Sequence, residues 1–244
     1  MMFVALLAAN TGIYAQTNIE NARSLNDAGV VHLRAGQYAS AVESLEQAIR
    51  AEHKFAIAHY NLGTAYFHLK QYDNALVELQ KAVAQDPSNA KAFNQLGVVY
   101  LELGQNDDAI NKLIAAIRLS PGDPTANYNL GCAYIRLKKF KEAIRALERA
   151  KEIDEKNAEV LINLGYAYYR QKQYRNAIEE TQNAVAINAE DEQAQLLLAN
   201  LYRLANEKVS ALAQYQAVRA FMPKLAEKIY QVIYGDKIVV IGKK

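Results

Sequence analysis

Leu62-Gly63-Thr64-Ala65-Tyr66 decides how the chain is read, because the same phrase returns in fixed phase. Leu96-Gly97, Leu130-Gly131 and Leu164-Gly165 follow at steps of 34 residues, and Gly29 stands one step upstream. Other columns keep that phase. Ala41, Ala75, Ala109, Ala143, Ala177 and Ala211 form one, and Ala48, Ala82, Ala116, Ala150 and Ala184 another. His32, Tyr66, Tyr100, Tyr134, Tyr168 and Tyr202 make an aromatic column, and Leu45, Leu79, Leu113 and Leu147 an aliphatic one. Several columns on one period mean one unit repeated without insertion or deletion. With the glycine as its eighth position, the repeats run 22–55, 56–89, 90–123, 124–157, 158–191 and 192–225.

Composition agrees with a helical chain. Of 244 residues only 11 are Gly and 4 are Pro, too few for a turn-rich β architecture, and 51% are hydrophobic, too many for a disordered polymer. The net charge of +2 does not suit a protein whose main task is gripping a polyphosphate backbone, so nucleic acid is not the expected partner. Cys132 is the single cysteine, which excludes an intramolecular disulfide and a cysteine-based zinc site.

Each repeat carries two stretches of helical apolar periodicity joined by a tight turn; in the second repeat these are about Phe55–Leu69 and Asp73–Ala84. The turn position holds Gly36, Gly104 and Asn206, residues that tolerate positive φ. A glycine inside a helix costs about 1 kcal/mol relative to alanine. The column Gly29, Gly63, Gly97, Gly131 and Gly165 is therefore expected where a side chain would hold two helices apart. Asp123-Pro124 reads as an N-cap and N1 proline, and Thr17-Asn18-Ile19-Glu20 as a capping box opening the first helix. Helix pairs with an exposed apolar face must stack. Lys224–Tyr234 reads as an amphipathic cap on the last repeat, and Ile238–Ile241 as a short apolar run within a tail that closes the chain over 226–244.

A 34-residue period with Leu-Gly-x-x-Tyr, alanine and proline in this phase resembles the tetratricopeptide repeat family. Pro87, Pro121 and Pro223 stand where that family places its proline, whereas His53 and Glu155 replace it, and Ala199 takes the glycine place in the sixth repeat. The resemblance implies an all-α, right-handed superhelical solenoid of antiparallel helix pairs, with the first helix of each pair lining a concave groove. It also implies a non-enzymatic scaffold holding an extended peptide of a protein partner, with no cofactor and no metal. Position six then lines the groove with Asp27, Asn61, Gln95, Asn129 and Asn163. Carboxamides both donate and accept, which suits the backbone of an extended peptide. The row is similar to the asparagine ladder in the superhelix of O-linked N-acetylglucosamine transferases, with Asn61, Asn129 and Asn163 matching directly. Position five adds Asn26, Tyr60, Asn94 and Tyr128, and position thirteen Arg34, His68, Glu102, Arg136 and Arg170. Guanidinium groups beside tyrosines favour acidic or polar peptides. The alternative is a solvated charged face. The carboxylate-clamp pattern of chaperone-binding repeats is not met, since residues such as Tyr60 and Thr125 stand in its basic positions.

The N-terminal stretch reads differently. Met1–Ala9 is an uncharged apolar run interrupted by Asn10-Thr11-Gly12, and Ala15 precedes Gln16 as a signal-peptidase site requires. Residues 1–15 are read as a secretory leader, 16–21 as a lead-in, and the protein as a resident of the cell envelope or periplasm; a cytoplasmic protein with an apolar N-terminal tail is the alternative. The run is too short for a stable membrane span. No HExxH, glycine-rich phosphate loop or GxSxG occurs. His32 is expected in the core and Cys132 as a packing thiol. The competing functional reading is an accessory or regulatory subunit of a separate enzyme, such as a glycosyltransferase or cell-wall enzyme.

Overall fold

The structure is a computed structural model that describes the backbone of residues 2–235 and the side chains of residues 16–235. Among the described residues there are thirteen α-helices and no strand. The Ile238–Ile241 run and the side chains of the expected leader lie outside the described residues. The chain divides into two compact halves, Met1–Pro121 and Gly122–Lys244.

In the N-terminal half, α1 (Met2–Arg34) pairs with α2 (Tyr38–Ala51), α3 (Ala56–His68) with α4 (Tyr72–Gln85), and α5 (Ala90–Glu102) with α6 (Asn106–Leu119). In the C-terminal half, α7 (Pro124–Arg136) pairs with α8 (Phe140–Ile153), α9 (Ala158–Arg170) with α10 (Tyr174–Ile187), and α11 (Glu192–Leu204) with α12 (Lys208–Phe221). A final helix, α13 (Pro223–Tyr234), packs on α11 and α12. Within each half, every second helix also packs against the first helix of the next pair.

Helix contact is set by the glycine column. A Cβ built on Gly63 would lie 2.6 Å from Cγ of Leu79, and one on Gly131 would lie 2.5 Å from Cγ of Leu147. The leucines that fill this space, Leu45, Leu79, Leu113 and Leu147, are all fully buried. In the fifth repeat Thr181 takes the leucine place, and its hydroxyl donates to the Ala177 carbonyl at 2.7 Å.

Six tight turns close the pairs. Their left-handed residues are Gly36, Lys70, Gly104, Lys138, Lys172 and Asn206, with φ between 58° and 74°. The expectation for Gly36, Gly104 and Asn206 holds. The three lysines adopt the same conformation because the hydrogen bonds around the turn demand it: Gln71 N–H reaches the Tyr66 carbonyl at 2.9 Å and Lys139 N–H the Tyr134 carbonyl at 2.8 Å. Asp123 caps α7 by accepting from Thr125 N–H at 2.9 Å, with Pro124 at the first helical position, as expected.

Two expectations at the N-terminus are corrected. Thr17 opens no helix, because α1 runs unbroken from Met2 to Arg34. A capping box needs free backbone N–H groups, and those at this point are spent inside the helix. His32 is half-buried rather than in the core, with Nδ1 2.7 Å from Gln37 Oε1. A tyrosine in its column reaches a helix twenty residues back, and for His32 that residue is in α1 itself.

At the C-terminus, α13 buries Leu225, Ala226, Ile229 and Val232 against Ala199 and Val218, as a cap on the last repeat should. Tyr234, the last residue of α13, is exposed.

Candidate peptide-binding face

The residues expected in the groove separate into two structural groups. At positions five and six, Asn26 with Asn61 and Tyr128 with Asn163 join neighbouring repeats. Asn61 is buried and donates from Nδ2 to Asn26 Oδ1 at 2.8 Å. Asn163 is buried and donates from Nδ2 to Tyr128 Oη at 3.2 Å and to the Glu159 carbonyl at 2.9 Å. The physical reason is the period itself: stacked first helices bring residues 35 apart side by side. Asn61 and Asn163 therefore spend amide donors between neighbouring helices, while Asn163 also lines the open cavity beside α9. Gln95, Asn129, Asn94 and Tyr60 are half-buried on the corresponding helices. Burial raises the Tyr60 phenol, and a hydrogen bond from Thr64 opposes this.

Tyr128 is the centre of a small polar group. Its hydroxyl donates to Glu159 Oε2 at 2.9 Å. Burial first, then the neighbouring Cys132 thiol and the Glu159 carboxylate, push its phenol far above the ordinary tyrosine range. It stays a neutral hydroxyl that links α7 to α9, with Cys132 half-buried beside it.

The second group lies at position thirteen, at the ends of the first helices. Arg34, His68, Arg136 and Arg170 are all exposed. His68 stacks on Tyr38 with ring centroids 4.5 Å apart and planes 8° from parallel. Arg170 lies over Phe140, its Cζ 4.5 Å from the ring centroid, and donates from Nη1 to Tyr166 Oη at 2.7 Å. The two stacks are equivalent, because Tyr38 and Phe140 each open the second helix of the preceding repeat.

In the C-terminal half an open cavity of about 430 Å³ lies beside α9 and the start of α11. Glu159, Ile162, Asn163, Asp191 and Gln193 are among its lining residues, with Glu190 and Glu192 adding further carboxylates. This end is acidic. Arg170 stands eleven residues beyond Glu159 on α9, about 16 Å along the helix axis. The face thus has an acidic rim at one end of the first helices and a basic rim at the other. No group of three or more His, Cys, Asp or Glu side chains among the described residues is placed to hold a metal. No helix among them is long and apolar enough to cross a membrane.

The family described as cilia and flagella-associated protein 70 C-terminal domain, a tetratricopeptide repeat family, matches residues 5–228. The chain belongs to this family. Solved tetratricopeptide structures are similar along most of it. One is pilF of Pseudomonas aeruginosa, with 21% identity over 88% of this chain and 98% of that chain and a TM-score of 0.75. Another is MamA from Desulfovibrio magneticus, with 24% identity over 70% and 97% and a TM-score of 0.63. A third is YrrB, described as a TPR protein with an unusual peptide-binding site, with 23% identity over 73% and 92% and a TM-score of 0.60. At these identities they establish the tetratricopeptide fold alone. No curated protein sequence matches the chain.

Two polar systems of the tetratricopeptide stack escaped the sequence reading. The tyrosine column reaches back twenty residues: Tyr66 donates to Glu46 at 3.0 Å and Tyr168 to Glu148 at 2.5 Å, while Tyr100 and Tyr202 accept from Gln80 and Gln182. A signal was present, since Glu46, Gln80, Glu148 and Gln182 share one position of the repeat. Burial, the hydrogen bond to Glu46 and the charges of Glu46 and Glu78 push the Tyr66 phenol up to about 12. The second system is His59, buried on α3, with Nδ1 2.6 Å from Glu78 Oε2 and Nε2 3.3 Å from the His53 carbonyl.

Proposed function

We propose that the chain is a non-enzymatic scaffold that holds an extended segment of a protein partner along its first helices. The observation that carries this is the open cavity beside α9 and α11, lined by Ile162 and Asn163 and next to the half-buried Tyr128. The cavity is concave and mostly polar, with Ile162 as its apolar contact and the Asn163 side chain held by hydrogen bonds, and concave sites with fixed polar groups are where ligands bind. The peptide-binding site named for YrrB gives a precedent on the same fold. Export to the cell envelope belongs to the same proposal and is tested by N-terminal sequencing of the mature protein; an N-terminus at Met1 would reject it.

A photoreactive benzoylphenylalanine placed at Ile162, with a second copy of the experiment at Val209 on α12, tests the scaffold reading in cells. Val209 is 85% exposed and is the control surface. Cross-links to one set of partner peptides at Ile162 and not at Val209 are expected. Equal capture at both positions, or none at Ile162, would reject the face.

A further inference from the structure

We propose that Arg170 and the lysines of the adjoining turns form a seat for a carboxylate of an acidic partner segment. This rests on the peptide-holding reading and names the chemistry of the partner. Arg170 is exposed, yet its guanidinium is held from two sides, by the Phe140 ring at 4.5 Å and by the Tyr166 hydroxyl at 2.7 Å. Phe140 is buried although it opens α8, because Arg170 and Tyr166 lie against it. A guanidinium has five N–H donors in a fixed plane. Only Nη1 has a hydrogen-bond partner among the described residues. The others are oriented without a mate, and a planar fork of this kind matches a carboxylate bidentately.

The charges in the two adjoining turns are all positive, and Glu142 in the first turn of α8 is the nearby carboxylate in sequence. Lys139 and Lys141 flank Phe140 in sequence, Lys138 holds the turn before α8, and Lys172 holds the equivalent turn one repeat later. All four are exposed, and among the described residues none of them, nor Arg170, has a carboxylate within ion-pair distance. Equivalent turns of adjacent repeats lie about 10 Å apart, the spacing of packed helices. The seat therefore covers a few charges, as a short run of Asp or Glu presents, and not a long polyanion. The acidic rim at Glu159, Glu190, Asp191 and Glu192 opposes a polyphosphate or an anionic membrane spread across the same face. A peptide avoids that conflict by placing its acidic residues at the turn end alone.

The test uses the full chain and capped, dye-labelled ten-residue peptides read by fluorescence anisotropy. One peptide carries four glutamates and two tyrosines; a second has glutamine at each glutamate. The glutamate peptide is expected to bind about tenfold more tightly at low salt, with the difference shrinking at high salt. Arg170→Gln is expected to weaken it about tenfold with an unchanged circular dichroism spectrum, and Arg170→Lys by an intermediate factor, since charge remains and the fork is lost. Equal binding of both peptides would overturn the acidic seat and leave the peptide-holding face standing. So would unaltered binding by Arg170→Gln. Absence of binding by either peptide up to millimolar concentration overturns the seat, and cross-linking at Ile162 then reports separately on the face. Tighter binding of single-stranded RNA, or of vesicles containing phosphatidylserine, would overturn a protein partner at this edge.

Discussion

His68 in the N-terminal half and Arg170 in the C-terminal half occupy the same place in their repeats, and each lies on the aromatic ring that opens the second helix one repeat back. On Tyr38 the imidazole lies flat at 8°, so its faces are used in packing. On Phe140 the guanidinium carbon lies 4.5 Å from the ring centroid, and Nη1 donates to the Tyr166 hydroxyl. The halves differ again inside the repeats. Buried His59 pairs with half-buried Glu78 in the N-terminal half, and Gln195 and Gln214 form the equivalent pair at 2.8 Å in the C-terminal half. At the same place in the fourth repeat Asn127 faces the position of Ala146, and its buried amide nitrogen has no hydrogen-bond partner. The period dictates where two side chains meet, and residue identity alone dictates whether the meeting is a latch, a stack or a site.

That equivalence of place can be broken most severely at the glycines. Gly63→Val and Gly131→Val should each cost about 3 kcal/mol, because the added atoms enter the space of Leu79 or Leu147. Urea denaturation monitored by circular dichroism checks this. A cost in one half and none in the other would show that the halves do not share their packing. Adding Leu147→Ala to Gly131→Ala should recover part of the smaller loss that Gly131→Ala causes.

The polar pairs come next. Burial alone would raise the Glu78 carboxyl, but hydrogen bonds and charge from His59 and Lys81 outweigh it and hold it below the ordinary 4.5. Its contribution is therefore complete above pH 4.5 and is lost as pH falls through the lower folded value. Glu78→Gln should cost about 2 kcal/mol at neutral pH and flatten the acid side of the stability curve. An unchanged acid slope in this variant would contradict the pairing.

The stacks should matter less to stability. His68→Ala and Arg170→Ala are each expected to cost about 1 kcal/mol, and Phe140→Ala should abolish the further cost of Arg170→Ala. A double-mutant cycle with no coupling would remove Phe140 as the seat. The smallest effect is a gain. Asn127→Leu, the residue found at the same place in the first and fifth repeats as Leu25 and Leu161, should stabilise by about 0.5 kcal/mol by deleting an unpaired donor.

The fold was legible because backbone packing imposes residue types that recur. A glycine that must admit a leucine, and an alanine that is fully buried, leave columns in one sequence. The candidate site was legible only as far as the helix face. Asn61 and Asn163 have residue types suited to a peptide, and each also donates to a neighbouring helix, at Asn26 and Tyr128. Only the distance between stacked helices reveals that. Arg170 was found by its type, but its support by Phe140 spans two helices and has no signature in either one. At the N-terminus the sequence misled, because Thr17 and Glu20 keep the spacing of a cap inside a helix that begins at Met2.

The links between repeats carry a consequence for how such a chain can change length. Tyr66 meets Glu46 and Asn61 meets Asn26, and the same offsets recur at Tyr168 with Glu148 and Asn163 with Tyr128. A duplicated block of 34 residues offers one end of such a link to the repeat before it and the other end to the repeat after it, so the protein can lengthen or shorten in whole quanta. A single residue inserted inside a helix between the two partners of a link turns one of them by about 100° around its helix and away from the other. Gene duplication is thus the cheap edit for this architecture, and a codon-sized insertion within a helix is the expensive one.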